Sequence, residues 1–163
     1  MRYQSMNRLQ DFDFHDAVWT LVSCSDNSLA GDVRFLNIHQ DCPQNTEDCD
    51  MEIETARITM NGCRVIAYKP VSPEIIDSAG VRHPADPPVV YAGEKAAKVL
   101  LNEMEYGMTF DSLHEGDNGS WILEGCGETL FFEAEIIFES VLVEWDSYRC
   151  PSWYVPRQRG IEA

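Results

Sequence analysis

The stretch GETLFFEAEIIFESVLVEW, residues 127–145, decides the fold. Leu130, Phe132, Ala134, Ile136 and Phe138 fall on one side of an extended chain, and Phe131, Glu133, Glu135, Ile137 and Glu139 on the other. Successive side chains of a strand point to opposite faces, so the pattern is an antiparallel strand with a dry side and an acidic side. Uninterrupted it would outrun an ordinary strand, and a bend is expected at Glu139-Ser140.

An earlier segment echoes it. ARITMNGCRV, 56–65, shares Ala, Ile and Val in register with AEIIFESVLV, 134–143, which suggests two related meanders with equivalent bends at Asn61-Gly62 and Glu139-Ser140. Residues 51–68 are rich in β-branched and aromatic side chains and read as strand. Asn-Gly at 61–62 is the dipeptide most favoured in a two-residue hairpin turn, and a bulge that keeps the chain extended is the competing reading. Toward the N-terminus, residues 17–24 alternate around Val18, Thr20 and Val22. SDNSLAGD, 25–32, reads as turn chemistry before a second strand, DVRFLNIH, 32–39. Further strands are expected at 108–113 and 121–127.

One helix stands out. In GEKAAKVLLNEMEYG, 93–107, Ala96, Val99, Leu100 and Met104 recur at helical spacing, with Ala97 and Leu101 widening the stripe and Gly107 suited to the C-terminal cap. The helix is expected over 94–106. Between it and the strands lies a Pro-rich loop, 69–92, with one helical turn expected from Ser72 to Asp77, and the loop is long enough to be a lid or contact element. The expected fold is a single α+β domain over 1–163, mainly antiparallel β as a barrel or two-layer sandwich, with one main helix packed on it.

The chain carries 28 acidic and 12 basic residues in 163, a net charge of −16. Such a surface repels phosphates and anionic lipid headgroups, so neither nucleic acid nor membrane is expected as a partner, whereas a basic protein would be attracted. No segment holds the roughly 18 apolar residues a membrane helix needs. The N-terminus has no apolar signal core, which sets a cytoplasmic expectation. The six cysteines, at 24, 42, 49, 63, 126 and 150, are accordingly expected as free thiols. Nothing in the sequence sets an oligomeric state.

Motifs that would carry chemistry are weak. There is no G-x-S-x-G elbow, phosphate-binding loop or H-E-x-x-H pair, and no catalytic residue or cofactor is assigned. His39, Cys42 and Cys49 could offer three zinc ligands, but the tight Cys spacing of structural zinc sites is missing, and no metal is expected. His15 and Asp16 form a candidate site; in a strand their side chains would point to opposite faces, and the simpler reading is turn chemistry, with His15 bonded to nearby backbone. Recognition is better served elsewhere. Loop 39–50 carries Glu47, Asp48 and Asp50, which with Glu52 and Glu54 would form an acidic patch. The aromatic tail, 147–163, brings Trp153 and Tyr154 beside Arg149, Arg157 and Arg159, residue types that dominate binding hot spots.

Phe14, His15, Asp16 and Ala17, with the two strands that follow and the later strand at 58–65, carry a resemblance. The chain resembles a set of small bacterial β-rich proteins that open on F-H-D-[AS], some of them encoded among immunity proteins of polymorphic toxins. The resemblance implies a binding protein. The leading expectation is therefore a non-enzymatic acidic protein-binding domain, of the kind that inhibits a basic toxin. The alternatives are an enzyme of unknown class using His15 with nearby carboxylates, and a structural or regulatory accessory domain.

Overall fold

A computed structural model describes residues 1–25, 27–127 and 131–155. In chain order the first strands are β1 (Tyr3–Met6), β2 (Phe12–Asp13), β3 (Val18–Ser25), β4 (Ser28–Arg34), β5 (Asn37–Ile38) and β6 (Met51–Ile53). There follow β7 (Ala56–Asn61), β8 (Arg64–Pro70), β9 (Glu74–Ile76), β10 (Arg82–Pro84) and β11 (Tyr91–Ala92). The helix α1 (Gly93–Tyr106) precedes β12 (Met108–Glu115), β13 (Trp121–Cys126), β14 (Phe131–Ile137), β15 (Ser140–Trp145) and β16 (Tyr148–Pro151). The architecture is α+β, dominated by antiparallel strands, with α1 packed on the main sheet.

The main sheet runs β1-β15-β7-β4-β3-β12-β13-β14-β8-β11. Only residues 62–63 separate β7 from β8, and only residues 138–139 separate β14 from β15. The two long bent strands pair with each other on both sides of the bend, Ser140 opposite Asn61 and Ile137 opposite Arg64. Followed through these bends, the order closes into a ring: β3, β4, β7/β8, β15/β14, β13, β12 and back to β3. Strands that bend from one layer into the next make such corners. Here Glu139 N–H donates to the Asn61 carbonyl at 2.8 Å, and Gly62 turns with φ +65° while its N–H donates to Asn27 O at 2.8 Å.

Trp19, Ile58, Met60, Phe110, Leu123, Phe132, Ile136 and Trp145 are all essentially inaccessible and fill the interior. The bend shifts the inward parity from Phe132, Ala134 and Ile136 to Val141, Val143 and Trp145. Ala96, Leu100 and Met104 of α1 are buried against β8 and β3, two strands that do not pair, so the helix bridges them. Gly107 ends it at φ +91°, as its sequence position implied.

Four local expectations are corrected. Residues 28–31 lie in β4, because Gly31 is an inward position made small by its neighbour Trp19 rather than a turn residue. That strand ends at Arg34, where Phe35 at φ +61° redirects the chain into a second, four-stranded sheet, β16-β6-β5-β2. Asn61-Gly62 is not a hairpin turn: β7 and β8 each pair with a strand of the other bent segment, so the chain bends instead of reversing. Residues 72–77 form no helical turn; β9 pairs with β10 in an exposed ribbon, whose turn Asp77 caps by accepting the Ala79 and Val81 N–H groups at 2.8 and 2.9 Å. β1, unread in the sequence, pairs with β15.

Candidate functional site

Loop 39–50 joins β5 to β6 and folds over the four-stranded sheet. Its sequence supplies internal anchors. Cys42 and Cys49 are buried at 3% and 8% exposure, and Asn45 Nδ2 donates to the carbonyls of His39 and Cys49 at 3.2 and 2.9 Å. Asp50 closes the loop. Its carboxylate accepts the Gln40 N–H at 2.7 Å and the Tyr154 hydroxyl at 3.0 Å, and lies 3.4 Å from His39 Nδ1. Burial alone would raise the Asp50 carboxyl, but these donors outweigh it and hold the group below the usual carboxylate range.

Beside it, the buried Asp11 receives Arg8 in a fork, Nε at 2.6 Å and Nη2 at 2.9 Å. Burial pushes this carboxyl up too, and the guanidinium brings it below its ordinary value. Arg8, Gln10, Asp11, His39, Gln40, Asp41 and Asp50 together line an open polar cleft of about 690 Å³. An Asp-oriented histidine invites a nucleophilic reading, which needs a thiolate or hydroxyl at hand. The nearby thiol of Cys42 is pushed up by burial and donates to Gln44 Oε1 at 3.2 Å. A protonated, hydrogen-bonded thiol is a poor nucleophile, so Cys42 does not supply the attacking group that this reading needs.

The aromatic tail returns to this loop. Tyr148 OH donates to Gln44 O at 2.8 Å, Ser152 N–H to Asp50 O at 2.9 Å, Ser147 Oγ to Glu54 Oε2 at 2.7 Å, and Arg149 Nη1 to Glu52 Oε1 at 2.8 Å. Two segments about a hundred residues apart thus form one surface. Trp153 stands half exposed on it, edge-on to the half-buried Tyr154. The guanidinium groups of Arg34 and Arg149 both stack on Phe35, 5.7 and 5.4 Å from the ring centre. Arg157 and Arg159 lie outside the described residues.

The five acids of the expected patch divide. Asp50 is structural, Glu52 is largely covered by its pairing with Arg149, and Glu54 is exposed but bonded to Ser147. Glu47 and Asp48 are exposed, and Asp41 joins them on the loop. Between Arg34 and Arg57 the sequence has six acids and no lysine or arginine, while Arg149 reaches Glu52 and Arg8 reaches Asp11 from other segments.

His15 and Asp16 lie elsewhere, against β12. His15 Nδ1 is 3.2 Å from Asp111 O, and its backbone N–H donates to Asp13 Oδ1 at 3.0 Å. The two side chains do not diverge as in a strand. Asp16 sits at φ +65°, and this turn brings its Oδ2 within 3.7 Å of His15 Nε2. The Asp111 carbonyl, followed by the surrounding carboxylates, raises the His15 pKa. Among the described residues no cluster of three or more His, Cys, Asp and Glu is arranged to hold a metal, and no helix is long and apolar enough to cross a membrane. The Arg8–Asp11 pair has one signal in the sequence, its i, i+3 spacing.

No protein-family model matches the chain, and no curated protein or solved structure matches it either.

Proposed function

We propose that the chain is a non-enzymatic protein-binding domain, an immunity-type inhibitor whose acidic loop 39–50 receives the basic surface of a toxin. The observation that carries this reading is the junction of loop and tail. The exposed Asp41, Glu47 and Asp48 ride on a loop fixed from beneath by Cys42, Cys49, Asp50 and Tyr154, beside the exposed Trp153. A loop already held in place loses little freedom on binding, and an aromatic next to concentrated charge supplies a contact that survives desolvation. The opening Phe14-His15-Asp16-Ala17 motif supports the same reading through the immunity proteins it resembles.

The test is association with a panel of cationic toxin domains, followed by surface plasmon resonance at several salt concentrations. A true partner binds saturably, with an association rate that falls steeply as ionic strength rises. Reversing Asp41, Glu47 and Asp48 to lysine should slow association about tenfold or more while the circular dichroism spectrum stays unchanged. Asp50 is left intact because its role is inside the loop. Equal rates for the native and reversed proteins would sink the proposal, as would binding no tighter than to a charge-matched control protein.

A further inference from the structure

A groove follows α1 where the helix faces the tip of the β3–β4 hairpin. It has two lobes, of about 470 and about 520 Å³, which share Cys24, Glu94, Ala97 and Leu101. Leu29, Cys63 and Val65 complete the first lobe, and Leu21 adds to the second. Ala97 and Leu101 belong to the apolar stripe of the helix but remain only half-buried, since Ala96, Leu100 and Met104 take the core side. Each lobe falls within the size range of small-molecule sites, about 300–1,000 Å³. The Cys63 thiol is pushed up to about 11, by burial first and by nearby Cys24 second, so it lines the groove as an uncharged group.

The charges point to the ligand. Among the described residues, every lysine and arginine but two has a carboxylate or an aromatic ring as partner. The two are Arg64, which lines the first lobe, and Lys98, which lines the second. Of the ten lysines and arginines among the described residues, the two without such a partner both stand on one apolar groove. Glu94 and Glu105 share its rim, so a multiply charged anion is disfavoured there. We infer that this groove binds a single-chain anionic amphiphile, a fatty-acid-like carboxylate whose tail lies along Leu29, Val65, Ala97 and Leu101 and whose head is drawn by Arg64 and Lys98. The site is separate from the acidic loop, and its fate does not decide the proposed protein-binding role.

The experiment is calorimetric titration of the full chain with dodecanoate below its micelle concentration, alongside decanoate and dodecyltrimethylammonium. Dodecanoate should bind at one site, about fourfold more tightly for each methylene it has over a shorter homologue. The cationic analogue should bind at least tenfold more weakly. Arg64→Glu with Lys98→Glu should weaken dodecanoate at least tenfold; both side chains are outside the core, so the fold is not at stake. Ala97→Trp should fill the groove and abolish binding of both chains. Dodecanoate should also slow alkylation of Cys24 by iodoacetamide. Absence of saturable binding, equal affinity for the cationic chain, or affinity unchanged in the charge-reversed variant would each overturn the inference. So would association with phosphatidylglycerol vesicles alongside indifference to free dodecanoate.

Discussion

The indole of Trp19 occupies the space in which a side chain at residue 31 would stand. A Cβ built on Gly31 would lie 2.6 Å from the indole Nε1 and closer still to its ring carbons, and Trp19 is wholly buried. The indole cannot yield without disturbing the packed interior. Gly31→Ala should therefore destabilise by about 1–3 kcal/mol, the usual cost of overpacking. Trp19→Leu in the Gly31→Ala background should cost less than the sum of the two single changes, because the smaller side chain makes room. Denaturant titration of the four proteins measures this, and strict additivity would show that the two residues do not compete for space.

Asp50 gives the loop its pH dependence. Its folded pKa lies below the ordinary value of 3.8, so the folded state binds its proton less readily than the unfolded state. The stabilisation is fully present above the ordinary carboxylate range and is lost as pH falls through that range toward the folded value. Asp50→Asn should cost about 1–3 kcal/mol at pH 7, since the hydrogen bonds to a charged acceptor are weakened. The gap between native and variant should close on acidification, below about pH 4. Part of the acid sensitivity should persist in the variant because Asp11 is shifted the same way. Unfolding curves at pH 7, 5 and 3 provide the check.

The corner at Gly62 combines positive φ with crowding. A Cβ there would stand 2.5 Å from Glu139 Cγ. Gly62→Ala should cost about 1–2 kcal/mol from the left-handed backbone alone, with a further penalty from the contact. Glu139→Ala introduced beside it should recover the contact portion and leave the backbone portion. Full recovery would mean that conformation at residue 62 is not the constraint.

Thiol reactivity should sort by position. All six cysteines are free, with Cys24 and Cys150 exposed and Cys42 and Cys49 buried. An aromatic disulfide reagent at pH 7.5 should modify Cys24 and Cys150 quickly and Cys42, Cys49 and Cys63 slowly, whereas six thiols should titrate in denaturant without reductant. Cys63 is slow because its raised pKa leaves little thiolate.

What the sequence made legible was periodicity. The alternation of residues 131–137 and the stripe of α1 are local signals, and both elements occur where they were expected. The bends at 62 and 139 were visible as an echo, but whether Asn61-Gly62 reverses the chain or only bends it depends on which strands lie alongside, and those come from positions about 80 residues away. Gly31 misled because a glycine emptied for a tryptophan has the same letter as a glycine in a turn. The candidate surface was legible in halves: acidic loop and aromatic tail each stood out by composition. Their junction rests on β6–β16 pairing and on bonds such as Arg149 to Glu52, which no local pattern announces.

The way the ring closes also orders events on the ribosome. β3, β4 and β7 can zip as soon as they emerge, yet their partners β12 and β15 begin at residues 108 and 140. At about 5–20 residues per second, these first strands wait several seconds with open edges before their last partners arrive. Ring closure is thus a late, long-range event, and the nascent chain spends that interval in the state most exposed to chaperones and to mispairing with a neighbouring copy.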